Sequence, residues 1–335
     1  MRLLAIVLLF LGLAACTTVP QAEPAALTAA NNPFKRGVNV LGYDPYWKNP
    51  AKARFQWRHF AEIRNAGFDH VRVNLFAFDH MDSAHRLSPQ WLERLDAVVR
   101  EAQGAGLGVI LDEHDFSACA KDIPTCRVKL AAFWRQVAPR YRSAPRNVAF
   151  ELLNEPHEAL DADTWNGFYP DILDVVRATN PTRIVVIGPT RWNNFRELPT
   201  LRLPEADRNI LVAFHYYDPF NFTHQGASWT NLQSLSGVTW GSAADRAQVA
   251  ADFAQVAQWS AANDRPIYLG EFGAYDKGGT PTAMRVAWTN AVAREAEKHG
   301  FAWAYWQFDS DFIAWDMASQ RWFEPILRAL IPGSD

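Results

Sequence analysis

Phe150-Glu151-Leu152-Leu153-Asn154-Glu155-Pro156-His157 is the stretch that decides how this 335-residue chain reads. A run of strand formers from Val148 to Leu153 stops at an amide, a carboxyl and a proline. Proline cannot donate to a sheet ladder or continue a central strand, so the strand ends there. A carboxyl at the C-terminal tip of a buried parallel strand stands where α/β folds place their active sites. Asn and Pro also end strands for purely structural reasons, so this stretch needs a partner. Pro266-Ile267-Tyr268-Leu269-Gly270-Glu271-Phe272-Gly273 supplies one, a second apolar strand ending in a second glutamate. Hydrolysis of a glycosidic bond needs two such carboxyls flanking one bond.

Outward from these two strands, apolar runs alternate with helical patterns. Strands are expected at 37–41, 70–75, 108–113, 147–153, 183–187, 210–215, 266–270 and 301–306. Helices are expected at 52–66, from Ser88-Pro89 to Gly104 and Gly106, and at 127–142. Others run from Asp163 or Thr164 to Asn180-Pro181, weakly near Asn194, and at 243–262, 282–299 and 323–330. Pro89 sits early in its helix, where its missing N–H costs nothing. Eight βα units predict an α/β chain folded as a single (β/α)8 barrel. A doubly wound open sheet is the alternative, but Gly37-Val38-Asn39-Val40-Leu41-Gly42 lacks its phosphate-loop fingerprint.

Composition narrows the class. Net charge is −3 with no basic run, so nucleic acid is not an expected partner. Of the 14 tryptophans most are expected in the core by default, while a surplus in loops would suit stacking on sugar rings. Arg2, the apolar run Leu3 to Leu13 and small Ala14-Ala15 read as a signal peptide, too short to span a bilayer. Leu13-Ala14-Ala15-Cys16 looks like a bacterial lipobox, which implies cleavage before Cys16 and lipidation of its thiol. Thr17 after it, by resemblance to Gram-negative lipoproteins, points to the outer membrane. An ordinary secretory signal with an incidental cysteine is the other reading, and both export the chain. The expected organisation is a leader at 1–16, a Pro/Ala-rich tether at 17–32 and a catalytic domain at 33–335. Membrane association is expected only through the lipid, and the protein is expected to be a monomer. Export permits a disulfide between Cys119 and Cys126, the remaining pair, which bracket Ile123-Pro124. Two thiols without a nearby histidine fall short of a zinc site, so no metal is expected.

Residues two apart in a strand share a face, and polar pairs recur at that spacing near strand ends. They are Arg72/Asn74, Asp112/His114 and His215/Tyr217, with Asn39 and Trp306 similarly placed on the first and last strands. A barrel brings such tips together. At this point the chain resembles glycoside hydrolase family 5, a family of retaining cellulases and mannanases with glutamates after strands 4 and 7. The resemblance rests on Arg36-Gly37-Val38-Asn39, Val71-Arg72-Val73-Asn74, Glu113-His114, Asn154-Glu155-Pro156, His215-Tyr216-Tyr217, Gly270-Glu271-Phe272-Gly273 and Tyr305-Trp306.

The resemblance implies Glu155 as acid/base and Glu271 as nucleophile, with Arg72 and Tyr217 beside Glu271. It implies Asn154 on the sugar 2-hydroxyl, His114 and His215 shaping the site, and Trp306 as a glycone platform. Asn39 and His224 complete the expected substrate contacts. Trp192 and Trp229 either line the cleft or simply pack, and Trp47 is more readily a packing residue. Asp115 departs from the pattern, since many relatives have a second histidine there. Glu113, Glu151 and Glu158 are read as structural or solvated.

The function expected is a retaining endo-β-1,4-glucanase acting on a β-1,4-linked polysaccharide or oligosaccharide without a cofactor. A β-mannanase or mixed glucan, mannan or xyloglucan hydrolase is the nearest alternative, differing at the sugar C2 hydroxyl. A non-catalytic glycan-binding lipoprotein would be expected to have lost a carboxyl or Asn154. A metal-dependent hydrolase would need a clustered ligand set such as His-x-His, which the sequence lacks.

Overall fold

The structure, a computed structural model, describes residues 25–333. Eight parallel strands close into a barrel in chain order, with β1 pairing β8. They are β1 Arg36–Val40, β2 His70–Leu75, β3 Gly108–Glu113, β4 Val148–Glu151, β5 Val185–Ile187, β6 Ile210–His215, β7 Ile267–Glu271 and β8 Ala302–Tyr305. All but Arg36 of these strand residues are buried, which explains why they read as near-continuous apolar runs rather than alternating ones.

The helices are α1 Arg58–Asn65, α2 Pro89–Gly104, α3 Phe116–Lys121, α4 Ile123–Val137, α5 Ala162–Arg177, α6 Thr190–Asn193, α7 Phe220–Thr223, α8 Ala243–Asn263, α9 Thr282–Lys298 and α10 Glu324–Leu330. Their starts follow from capping. Ser88, Asp122 and Asp161 each accept a backbone N–H of the first turn, and Ser242 and Asp245 form a reciprocal capping box.

Inward-facing side chains of β3 to β8, among them Ile110, Ala149, Val186, Leu211, Ala213, Tyr268 and Ala304, fill the barrel interior. The alanines leave room for Tyr268, whose hydroxyl lies 3.2 Å from His70 Nε2. Gly37 makes space for His70 in turn, because a Cβ there would stand 2.3 Å from the imidazole. Phe34 and Leu27 close the N-terminal end of this core.

Several expected boundaries shift. The tether does not extend to residue 32: Leu27 is 4% exposed and its N–H donates to the Arg208 carbonyl at 2.9 Å. An apolar side chain within reach of an open barrel end is buried there. The leader, Cys16 and residues 17–24 lie outside the described residues. The helix expected at 127–142 begins earlier, at Ile123, and α3 precedes it unannounced. The Cys119–Cys126 disulfide ties α3 to α4, as the sequence led us to expect. A small hairpin after β8, β9 Trp315–Asp316 with β10 Arg321–Trp322, was also unexpected. Among the described residues, no helix is long and apolar enough to cross a membrane.

Candidate active site

The polar strand tips converge at the C-terminal end of the barrel, with Arg72 of β2 at their centre. Its five N–H donors are all used. Nε and Nη2 form a fork on Glu151 at 2.7 and 2.9 Å, Nη1 reaches Glu271 Oε1 at 2.8 Å and Asn39 Oδ1 at 2.9 Å, and Nη2 also reaches Asn154 Oδ1 at 2.8 Å. The Asp112 carboxylate stands 3.1 Å from the same guanidinium and accepts from His114 Nδ1 at 2.6 Å. Burial alone would raise Asp112, but Arg72 and His114 overcome it and hold that carboxyl below its usual range. Glu151, the reverse case, is pushed by burial up to about 7 despite Arg72.

Glu155 lies past the end of β4 with a left-handed φ of +40°, and Glu271 ends β7. One carboxylate oxygen of each, together with a nitrogen of His215, lies within 4.8 Å of the others. A β-bulge between Phe214 and His215 shifts the register of β6, so that His215 pairs with Glu271. His215 Nδ1 then lies 2.7 Å from Glu155 Oε1 and 3.6 Å from Glu271 Oε2. Tyr217 Oη donates to Glu271 Oε2 at 2.9 Å, so Glu271 accepts from a cation and a phenol.

These environments separate the two carboxyls. Burial, and after it the charge of Glu271, pushes Glu155 well above the ordinary glutamate range. Burial raises Glu271 too, with Arg72 the strongest opposing influence. The Arg72 cation at 2.8 Å and the Tyr217 hydroxyl at 2.9 Å both favour an ionised Glu271, whereas Glu155 has no cation at hydrogen-bond distance among the described residues. His215 is kept well below the usual imidazole range by burial and by the Arg72 and His114 charges, so it is neutral. Burial and the neighbouring Glu271 and Glu155 hold the Tyr217 hydroxyl protonated as a donor.

Above the carboxyls opens a cleft of about 970 Å³. Of the expected contact residues, His114, Trp192, His215, Tyr217, His224, Trp229 and Trp306 form its wall, with Glu155 and Glu271 at its floor. Asn39, Arg72 and Asn154 are placed one layer deeper than expected. Asn39 and Arg72 are fully buried, and Asn39 spends its amide on the Gly270 and Tyr305 carbonyls at 3.0 and 3.3 Å, so neither reaches substrate. Asn154 is 1% exposed, its Oδ1 taken by Arg72. Trp192 and Trp229 are 47% and 52% exposed on the cleft, whereas Trp47 is packed against Trp91 in the core. One face of Trp306 stacks on His114 with ring centroids 5.6 Å apart and planes 6° from parallel, and the Trp306–Gln307 peptide is cis. Glu113 and Glu151 are fully buried structural carboxyls, and Glu158 is solvated.

The sequence reading missed Tyr43 and Phe312, in loops beyond strand ends, and Phe220, at the start of the short helix α7, which add aromatic surface to the same wall. Tyr43 is close enough to the paired carboxyls that burial, and then their charge, raises its hydroxyl to about 12. Loop aromatics carry no periodicity that would distinguish cleft from core. Only their neighbourhood to strand tips could have pointed to them.

A (β/α)8 barrel with glutamates at the ends of β4 and β7, their oxygens under 5 Å apart below an aromatic-walled cleft, defines the glycoside-hydrolase class of barrel. More narrowly, the chain belongs to the cellulase family, glycosyl hydrolase family 5, whose family model matches residues 27–311. It is 28% identical over 333 residues to Endoglucanase H of Acetivibrio thermocellus, covering 95% of this chain and 35% of that protein. A solved endoglucanase superposes with a TM-score of 0.85 at 36% identity, covering 90% of this chain and 98% of that one. Thermotoga maritima Cel5A, solved in complex with mannotriose, has a TM-score of 0.85 at 33% identity, covering 89% and 98%. The chain thus spans about a third of the length of Endoglucanase H and 64% of Endoglucanase B of Clostridium cellulovorans.

Proposed function

We propose that this chain is a retaining endo-β-1,4-glucanase that works by double displacement without a cofactor. The observation that carries the reading is that one carboxylate oxygen of Glu155 lies within 4.8 Å of one of Glu271, in keeping with a closely spaced pair. Retaining pairs sit at about 5–5.5 Å, and inverting pairs need roughly 6.5–9.5 Å to admit a water. Glu271, held ionised by Arg72 and Tyr217, attacks the anomeric carbon while Glu155 protonates the departing oxygen. Water activated by the resulting Glu155 carboxylate then displaces the sugar from Glu271. Asn154, whose Oδ1 is held by Arg72 and whose Nδ2 lies 3.4 Å from His114 Nε2, lies just beneath the floor, and its amide is the group the family resemblance assigns to the 2-hydroxyl. Bared aromatic faces at Trp192 and Trp229 suit the apolar faces of pyranose rings along an internal stretch of chain.

Side-by-side hydrolysis of carboxymethylcellulose, mixed-linkage β-glucan, glucomannan and xyloglucan, with proton NMR of the first product anomer, tests the reading. β-Glucan cleavage releasing the β-anomer is expected. Initial α-product would reverse the stereochemistry, and no cleavage of any glucan would reject the activity. Activity on mannan is the second reading, supported by the mannotriose complex of the Thermotoga relative.

The lipobox reading of Cys16 and the Cys119–Cys126 bond support export as a lipid-anchored, monomeric protein, with the outer membrane as its destination. Cys16→Ser should release the protein from the membrane fraction. A wild type that is already soluble, with its mature N-terminus beyond Cys16, would reject the anchor.

A further inference from the structure

We infer that Asn193, a residue outside the family motifs, fixes the tautomer of His215 and thereby keeps the proton of Glu155 on Oε2, the oxygen that His215 does not hold. The inference rests on the double-displacement reading above, and it assigns Asn193 as a positioning residue.

Asn193 is fully buried at the end of α6, where three successive residues, Arg191, Trp192 and Asn193, have φ of +55°, +61° and +54°. This left-handed turn carries Trp192 outward to the cleft and Asn193 inward. Its position against β6 is fixed by a backbone bridge between Asn194 and His215. Asn193 Nδ2 lies 3.2 Å from His215 Nε2, and His215 Nδ1 lies 2.7 Å from Glu155 Oε1. The three side chains therefore form one chain of hydrogen bonds leading to the acid.

The far end of the carboxamide sets its direction. Asn193 Oδ1 has no polar partner and packs over Gly188, where a Cβ would stand only 2.2 Å from it. In this orientation a Gly188 Cα–H faces a carbonyl oxygen, a weak attraction. Turned over, the carboxamide would press N–H against C–H and leave those hydrogens unpaired. The Nδ2 end thus donates to His215 Nε2. A neutral imidazole has one donor and one acceptor, so Nδ1 carries the hydrogen and gives it to Glu155 Oε1. Glu155 from the end of β4, Glu271 from β7, Arg72 from β2 and His114 from β3 are the charged or titratable groups facing this ring.

With Oε1 already accepting, a protonated Glu155 carries its hydrogen on Oε2. After transfer, the same Nδ1–H stabilises the carboxylate that must next activate water. The opposite tautomer would make Nδ1 an acceptor and draw the acid's hydrogen back into the protein.

Two measurements test this. In wild-type protein with isotope-labelled histidine, the His215 ring nitrogens should report a protonated Nδ1 and a bare Nε2. A protonated Nε2 overturns the inference, whether or not the enzyme is active. Asn193→Leu should then weaken the acid selectively. Hydrolysis of cellotetraose should fall by roughly 10- to 100-fold in kcat, part of the usual range for general acid–base catalysis, with KM little changed. Dinitrophenyl cellobioside, whose leaving group needs little protonation, should glycosylate Glu271 at nearly the wild-type rate. Loss of a donor to the carboxylate should also move the basic limb of kcat/KM to higher pH. Gly188→Ala, which pushes the carboxamide aside without removing it, should give the same pattern and serves if the leucine variant does not fold. Equal losses on both substrates, or no loss on either, would reject the role. A wild type inactive on every glucan would instead reject the proposed activity, and the ring spectrum would still decide the tautomer.

Discussion

Glu155 and Glu271 are the same side chain, and the donors that reach them set their roles apart. A guanidinium and a phenol on Glu271 favour its ionised form, while one neutral imidazole on Glu155 leaves it able to hold a proton. Substitutions should expose the difference. Glu271→Ala removes the nucleophile, so no glycosyl-enzyme forms with any leaving group, and azide should rescue it to an α-glycosyl azide. Glu155→Ala should lose about 10²–10⁴-fold on unactivated substrate. With dinitrophenyl cellobioside it should stall at the glycosyl-enzyme, and azide should restore turnover to a β-glycosyl azide. An α-azide from the Glu155 variant would reverse the roles. The pH profile follows with its sign fixed. Glu155 acts as an acid only when protonated, and its carboxyl is raised well above the usual range, so kcat/KM falls as pH rises through that raised value. The fall should lie well above the ordinary glutamate range near 4.3. The Glu155→Ala variant should lose this limb when assayed on the activated glycoside. A wild-type basic limb in the ordinary glutamate range would contradict the site as described.

At the scale of elements, the α3–α4 pair shows what an added segment does beside the site. The Cys119–Cys126 bond closes a loop of sequence separation 7, and the chain-entropy relation gives about 2–3 kcal/mol for so small a loop. Replacing both cysteines by alanine should lower unfolding stability by that amount in denaturant titrations. It should leave kcat unchanged, because neither cysteine lines the cleft. A loss of activity without loss of stability would mean that α3 positions His114 through Phe116, whose rings meet edge-on at 5.1 Å. The eight strands were legible because burial on both faces writes each as an apolar run, and the polar pairs two apart marked their C-terminal tips. Depth along the barrel was not legible. Alternation tells which face Asn39 and Arg72 share but not that a layer of carboxyls and amides covers them. A weak helix was expected near Asn194, where α6 lies, but its left-handed turn was not legible, since Arg191, Trp192 and Asn193 include none of the glycines that ordinarily announce such backbone. Helix α3 is only six residues long and too short for a periodic signal.

In the whole molecule, chemistry and closure occupy opposite ends of one barrel. The C-terminal end carries buried charge, two unpartnered strand-tip oxygens on Asn74 and Asp112, and the open cleft. The N-terminal end carries the apolar seal of Phe34 and Leu27, together with Arg183, which donates to the carbonyls of Tyr141, Ala144, Pro145 and Val148. In barrels of this kind residues at the lower end bear on stability and those at the upper end on catalysis. Leu27 puts that division to the test, because it belongs to a segment whose composition reads as a tether yet is buried against the barrel floor. Leu27→Ala should cost about 2–3 kcal/mol, toward the low end for leucine truncation because the site lies at the edge of the core. The loss should appear as a lower denaturant midpoint with kcat/KM on β-glucan unchanged at temperatures where the variant is folded. An unchanged midpoint would mean that the segment from residue 25 to 32 merely rests on the barrel. A fall in kcat/KM at full folding would mean that the two ends communicate, against the separation drawn from the distribution of charge and apolar surface.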